Sequence, residues 1–269
     1  MRKRLILIAV IMTCVVSSLA DTAGDEKDKQ QKRLEASLSY ESLSPNDVYG
    51  SWRNVFLSYY ISPHRKTTLF VQMGAFSRKT GSALLGVAGA YKDWADRFYT
   101  YTALAAGTNS AYLPQFRFDN DFNVKFGSKK NIVGTLGITY INYHDVHANL
   151  ILSFGCTAYL ERWISTYRIF RNRSDPGNIT SYSHLVDVAY GQDGRQMTNV
   201  TLSFGRQAYL ATYLARPEQV NQNSIYLVIR HRRWLRKGLG IIGDLSYFKL
   251  DEGYEKFGFT FGIFKEFSP

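Results

Sequence analysis

Between Leu34 and Glu41 apolar and polar side chains alternate without a break: Leu34, Ala36, Leu38 and Tyr40 fall on one face, Glu35, Ser37, Ser39 and Glu41 on the other. Between Phe116 and Phe126 the same rhythm sets Phe116, Phe118, Phe122, Val124 and Phe126 against Arg117, Asp119, Asp121, Asn123 and Lys125. A period of two is what an extended strand produces, because successive side chains leave opposite sides of the backbone. Asn120 is the polar exception on the apolar face of the second run. Runs of this kind, separated by Gly, Asn, Asp, Ser and Pro, predict strands at 34–43, 51–61, 66–77, 81–91, 97–106, 113–126, 131–142, 146–156, 158–171, 181–191, 196–206, 223–233, 238–249 and 255–267.

Fourteen is an even number, as single-chain bacterial membrane barrels require. The connections point the same way. With a periplasmic N-terminus the even-numbered connections should be short, and they read SPHR, KDWAD, GSKKN, a tight turn near Tyr159, GQDGR and WLRKG. The odd-numbered ones include PNDVYG, GTNSAY, RSDPGNIT and the longest, from Gln207 to Gln222. In the last run Phe257, Phe259, Phe261, Ile263 and Phe267 share one face, a closing strand of the kind read by the outer-membrane assembly machinery, although Ser268 and Pro269 follow the final aromatic. The expected fold class is all-β, a transmembrane antiparallel up-and-down β-barrel of about 14 strands over residues 34–269. A soluble β-sandwich is the competing architecture, since its strands alternate too.

The segment before the first strand differs in kind. Arg2, Lys3 and Arg4, an apolar stretch from Leu5 to Val16 and small residues up to Ala20 have the three-part layout of an export signal, with cleavage expected after Ala20. Cys14, with Ile11 three positions before it, offers a lipoprotein signal as the alternative; the bulk of Thr13 stands against it. The apolar run is shorter than the ~20 residues of a membrane-spanning helix. Residues 21–33, DTAGDEKDKQQKR, are charged and carry no apolar period, as expected of a flexible periplasmic lead-in.

Hydrophobic residues make up 45% of the 269, and no later stretch is apolar and long enough for a transmembrane helix, so composition alone points to a soluble secreted protein. Aromatic residues at 15%, with 19 tyrosines, change that picture, because membrane barrels gather them in belts at both interfaces. Cys14 leaves with the signal, so Cys156 has no disulfide partner and cannot build a zinc site; no metal and no cofactor is expected. The formal charge of +11 falls to about +8 once Arg2, Lys3 and Arg4 are gone. An exported chain with this balance meets outer-membrane lipid phosphates, lipopolysaccharide or acidic glycans rather than nucleic acid.

If the apolar face meets lipid, the polar face lines the interior. The predicted solute-facing residues are Glu35 and Glu41 in the first strand, and Arg117, Asp119, Asp121 and Lys125 in the sixth. Further along come Arg162, Arg168 and Asp187, then Arg230, Arg232 and Asp244. Charges of both signs facing one another either set a field across a water-filled pore or brace a plugged barrel. For catalysis the candidates are Asp145 and His147, with His144, in the outer-turn motif YHDVH, where a base needs a nucleophile within hydrogen-bond reach. The same turn is also where Asp is favoured for backbone reasons. Ser183 and His184 adjoin in SYSH, but neighbours in a strand point to opposite faces. The cluster RHRRWLRK at 230–237 has the look of a nucleic-acid patch; at a periplasmic strand end it fits anionic headgroups or a pore mouth better.

The stretches AYLPQFRFDNDFNVKF, NIVGTLGITYINYHD, SHLVDVAYGQDGR and TLSFGRQAY resemble the YaiO-type outer-membrane barrel family, most strongly between Ala111 and Tyr209. The resemblance implies a barrel in the outer membrane and, by analogy, a place beside exopolysaccharide machinery. The expected function is a pore or accessory channel for small or glycan-type solutes. A plugged barrel for structure or surface interaction, and a hydrolase at the outer rim, are the alternatives.

Overall fold

The computed structural model describes residues 31–206, 223–251 and 253–267, and in it each period-two run is a strand. They are β1 (Gln31–Ser44), β2 (Ser51–His64), β3 (Thr67–Arg78), β4 (Gly81–Ala95), β5 (Phe98–Gly107), β6 (Pro114–Phe126) and β7 (Ile132–Tyr143). The second half comprises β8 (Ala148–Leu160), β9 (Trp163–Asp175), β10 (Ile179–Gln192), β11 (Gln196–Arg206), β12 (Asn223–Arg236), β13 (Leu239–Leu250) and β14 (Glu255–Phe267). One helical turn, α1 (Asn46–Tyr49), lies between β1 and β2. The expected export signal with its expected cleavage site and Cys14, most of the expected lead-in and the connection from Gln207 to Gln222 lie outside the described residues.

Each strand pairs antiparallel with its sequence neighbours, and β1 closes the ring on β14, from Lys32 opposite Phe267 to Ser44 opposite Glu255. Closure removes both sheet edges, which in hydrocarbon would strand unpaired N–H and C=O groups at several kcal/mol each. An even strand count makes that seam antiparallel and leaves both chain ends at one rim, here the terminal end. The connections there are short: 65–66, 96–97, 127–131, 161–162, 193–195 and 237–238. The distal end carries α1 and the turn at 108–113.

Closure also assigns the two phases of the alternation. Leu38, Phe154 and Leu245 belong to the outward phase and are 60–63% exposed. The inward phase carries charges through the length of the wall, while outward charges include Arg53 opposite Tyr40, Arg171 opposite Leu152 and Lys265 opposite Leu34. Asn120 keeps its outward position by donating to Thr102 Oγ1 across β5 at 2.7 Å, which removes part of the cost of an amide on an apolar wall.

β4 and β9 run four residues beyond their expected ends, to Ala95 and Asp175, and two further departures bear on the bore. β1 begins at Gln31, so Lys32 and Arg33 belong to the wall and not to the lead-in. The β8–β9 turn is Glu161–Arg162 and not near Tyr159: alternation runs on to Leu160, which pairs with Trp163 across the hairpin. Glu161 takes φ 49 there, a conformation that Gly or Asn usually marks, so the turn is hidden in the sequence.

Candidate functional site

Of the predicted solute-facing residues, Glu35, Glu41, Arg117, Asp119, Asp121, Lys125, Arg168, Asp187, Arg230, Arg232 and Asp244 occupy inward positions. Arg162 does not. It sits in the exposed two-residue turn, one step beyond the ladder, because the hairpin closes later than its sequence indicates.

The inward charges are laid along the wall in pairs. Arg230 grips Asp244 on the adjacent β13 with two bonds, Nε to Oδ1 at 2.9 Å and Nη2 to Oδ2 at 2.8 Å, the bidentate geometry that suits guanidinium and carboxylate. Arg117 holds Asp119 on its own strand in the same way, at 2.7 and 2.9 Å, while Thr139 donates to Asp119. Glu35 forms an ion pair with Arg33 at 2.9 Å and accepts from Arg232 Nη2 at 2.7 Å. Glu41 takes Lys256 Nζ at 2.6 Å, and Asp187 accepts from Thr201.

Arg168, like Arg232, reaches across two strands. From β9 it spans β8 and β7 to Asp121 on β6, with Nη1 to Oδ2 at 3.0 Å and Nη2 to Oδ1 at 2.5 Å, and it also donates to Ser153 Oγ. Its path is cut by glycines. A Cβ on Gly155 would press on the Arg168 stem at 3.1 Å, and one on Gly137 would collide with Arg168 Nη2, Asp121 Oδ1 and Ser153 Oγ. The guanidinium therefore lies in a groove of the wall.

Toward the distal end the lining changes to rings. Trp52, Leu43, Phe248, Leu250 and Tyr254 form one buried cluster, and Ala83, Tyr112 and Leu113 another. Arg78 joins them, its guanidinium 3.8 Å from the Trp52 ring and 4.0 Å from the Tyr112 ring. The 108–113 turn folds inward to make this contact, pinned by Tyr112 Oη donating to Gly81 O at 2.9 Å. This aromatic collar escaped sequence reading: Tyr112 comes from a connection, and Arg78 lies one residue past the predicted end of its strand. The inward parity of Arg78 and Lys256 was the signal that marked them.

At the terminal end the bore opens into a cavity of about 520 Å³, lined by Tyr91, Tyr99, Tyr159, Val133 and a group of charged side chains. Lys125 pairs there with Asp93 at 3.4 Å. A hydrogen bond from Lys130 holds the Asp96 carboxyl, in the β4–β5 turn, below its ordinary range.

The outer-turn motif forms a local hydrogen-bonded loop. Asp145 accepts from the His147 amide at 2.9 Å and pairs with His147 Nδ1 at 2.7 Å. Burial raises the Asp145 carboxyl, and these bonds more than offset it, leaving the group below its ordinary value. Among the described residues His147 Nε2 has no hydrogen-bond partner, and no hydroxyl of theirs stands ready as a nucleophile beside it. His144 turns instead to Gly107 O at 3.2 Å. Ser183 is buried on the inner face, while His184 stacks outside between Tyr167 and Phe204. Among the described residues no group of three or more His, Cys, Asp or Glu side chains is placed to hold a metal ion.

No curated protein matches the sequence. Solved structures do match the fold. The CymD monoaromatic hydrocarbon channel superimposes with a TM-score of 0.55 at 8% identity, over 91% of this chain and 89% of that one. A bacterial polysaccharide outer membrane secretin (TM-score 0.53, 8% identity, 90% and 100%) and Pseudomonas aeruginosa OpdQ (0.52, 8%, 90% and 100%) are similar to the same degree. At such identities the likeness is one of architecture. The sequence comparison is more specific, for residues 31–210, spanning β1 to β11, match the family described as the YaiO membrane beta barrel domain. That is well over half of the 269 residues, and the chain belongs to the YaiO membrane barrel family.

Proposed function

We propose that the barrel is an outer-membrane channel for small polar or glycan-type solutes, exported by its N-terminal signal and inserted through its closing strand by the assembly machinery. Outer-membrane lipid and lipopolysaccharide then surround the wall, and exopolysaccharide machinery is the partner on the solute side. The observation that supports this reading is the seating of the inward charges. Arg168 lies in its glycine groove, Arg230 on Asp244 and Arg232 on Glu35, so these cations are held by carboxylates of the wall, which favours a bore left to water over one braced across. Fourteen strands enclose a wider interior than eight-stranded barrels, whose side chains fill theirs.

Planar-bilayer recording tests the proposal. Wild-type protein is expected to conduct, and Arg230→Ala with Arg232→Ala to lower its anion preference, because two cations leave the wall, Asp244 loses its partner, Glu35 keeps only Arg33, and the bore becomes more negative. Absence of conductance would support the second reading, a plugged structural barrel, which the distal collar favours: Trp52 and Tyr112 are each 1% exposed and Leu113 0%.

A rim hydrolase is the reading the turn geometry supports least, since Asp145 spends both oxygens on its own turn. Asp145→Ala is expected to leave the barrel assembled and to change no ester or peptide hydrolysis by the purified protein. A robust turnover that disappears with Asp145 would reverse this ranking.

A further inference from the structure

We infer that the outer wall at the distal end of β9, β10 and β11 is a binding site for one phosphorylated glycolipid of the outer leaflet, a lipid bearing two phosphate groups on a sugar core. The inference rests on the outer-membrane placement of the barrel and gives its wall a specific lipid partner at a specific place.

Outward charge marks the place. Arg171 and Arg173 alternate along β9 with Asn172 and Ser174, which are buried on the inner face. Their ladder partners fix the phase: Arg171 lies between Leu152 on β8 and Tyr182 on β10, and Arg173 between Leu150 and Thr180. On β11, Gly205 pairs with inward Ser183, so the next step of the ladder sets Arg206 beside Tyr182 on the outer face. All three arginines are exposed, and Tyr182 is 52% exposed. The same outer face of β9 adds a single carboxylate, Asp175, at the end of the strand opposite Ala148, so the patch is cationic.

Height along the barrel places the patch at a headgroup layer. Arg206 ends β11, Arg173 is two residues and Arg171 four from the end of β9, and Tyr182 is three from the start of β10. With both chain ends periplasmic, this rim meets the outer leaflet. A tyrosine suits that level, its ring in hydrocarbon and its hydroxyl in the polar layer. Beside and below the arginines the same wall is apolar: Leu152, Phe154, Phe204 and Val200 are 39–63% exposed.

Spacing then selects the ligand. Arg171 and Arg173 are two residues apart on one face, within reach of one phosphate. Arg206 is two strands away, about 10 Å at ~4.8 Å per strand, and reaches a second. Guanidinium forks hold phosphate oxygens in bidentate fashion, and a wall that excludes water strengthens the bond. Free phosphate would find the arginines and leave the apolar wall unused. A lipid with one phosphate would leave one side of Tyr182 unmatched. A lipid with two phosphates above its acyl chains meets both sides and the wall beneath.

Native mass spectrometry of the full-length barrel released from detergent micelles tests the assignment, with bisphosphorylated lipid A, monophosphoryl lipid A, phosphatidylglycerol and inorganic phosphate as probes. Bisphosphorylated lipid A is expected to fill one site at least about tenfold more tightly than either other lipid. Arg171→Gln with Arg173→Gln and Arg206→Gln should weaken it about tenfold or more, while Arg53→Gln, an outward arginine on β2, should leave it unchanged. Loss of charge from a lipid-facing wall does not oppose insertion, and heat-modifiable migration shows that each variant is folded. Arg206→Gln alone, at a strand end, serves if the triple variant assembles poorly; it should weaken the bisphosphorylated lipid and spare the monophosphoryl one. Equal binding of phosphatidylglycerol or of monophosphoryl lipid A, displacement of the lipid by inorganic phosphate, or undiminished binding by the variants would each overturn it. The measurement needs no conductance. A barrel that holds the lipid without conducting refutes the channel and keeps the site, and one that conducts without holding it does the reverse.

Discussion

Leu136→Arg is expected to stop the barrel from assembling, while Thr135→Arg, one residue earlier, leaves assembly largely intact. The two positions are neighbours in the middle of β7 and differ only in phase. Leu136 is outward and 59% exposed, which for this fold means exposed to lipid. Thr135 is inward and donates to Asn123 Oδ1 at 2.7 Å. A cation on the lipid face near the midplane costs about 2–4 kcal/mol, and the same cation in a watered bore costs little beyond one lost hydrogen bond of ~1 kcal/mol. Heat-modifiable migration on gels and membrane insertion of the two variants give the readout. Equal tolerance would contradict the phase assigned to β7, and through the ladder the phase of every strand.

Gly137→Val is the substitution expected to do most harm inside the bore. Its side chain would occupy the space where Arg168 meets Asp121 and Ser153, and none of these atoms can move away without breaking the bidentate pair. The partners, 22% and 21% exposed, are mostly withdrawn from water, and displacing one leaves the other poorly compensated. The cost for a fully buried pair, about 3–5 kcal/mol, must be discounted for this remaining contact with the bore, which leaves about 1–3 kcal/mol. Urea unfolding in micelles should show a lower midpoint for Gly137→Val than for wild type. Arg168→Ala in the Gly137→Val background should add little, because the interaction is already lost. Full additivity of the two would show that the glycine does not serve the ion pair.

Much of this architecture is legible in the residues because the period of a strand is local. Phe116 to Phe126 states its own two faces, and fourteen such statements leave one phase for lipid and one for the interior. The phase held even at Asn120, whose presence outside makes sense only once Thr102 is found beside it. Where local signals fail, the reading failed with them: Glu161–Arg162 turns the chain without Gly, Asn or Pro, so the hairpin was placed early and Arg162 was assigned to the bore. Arg33 reads as part of the lead-in because the charged run before it masks the start of β1.

By itself, then, the sequence determined the strands, their faces and most of the inward charges, since each depends on neighbours one or two residues away. Which charges meet was decided only by closure of the ring. Glu35 and Arg232 are 197 residues apart, and Glu41 and Lys256 are 215 apart, yet each pair sits on nearby strands because β1 lies against β14. The groove that carries Arg168 to Asp121 needs Gly137 and Gly155 on two intervening strands to line up, a property of register that no single run contains. The collar of Trp52, Arg78 and Tyr112, and the charge-lined cavity at the other end, likewise draw on several strands and turns at once. Their chemistry arises from side chains brought to one height of the barrel, and height is set by strand stagger around the closed sheet.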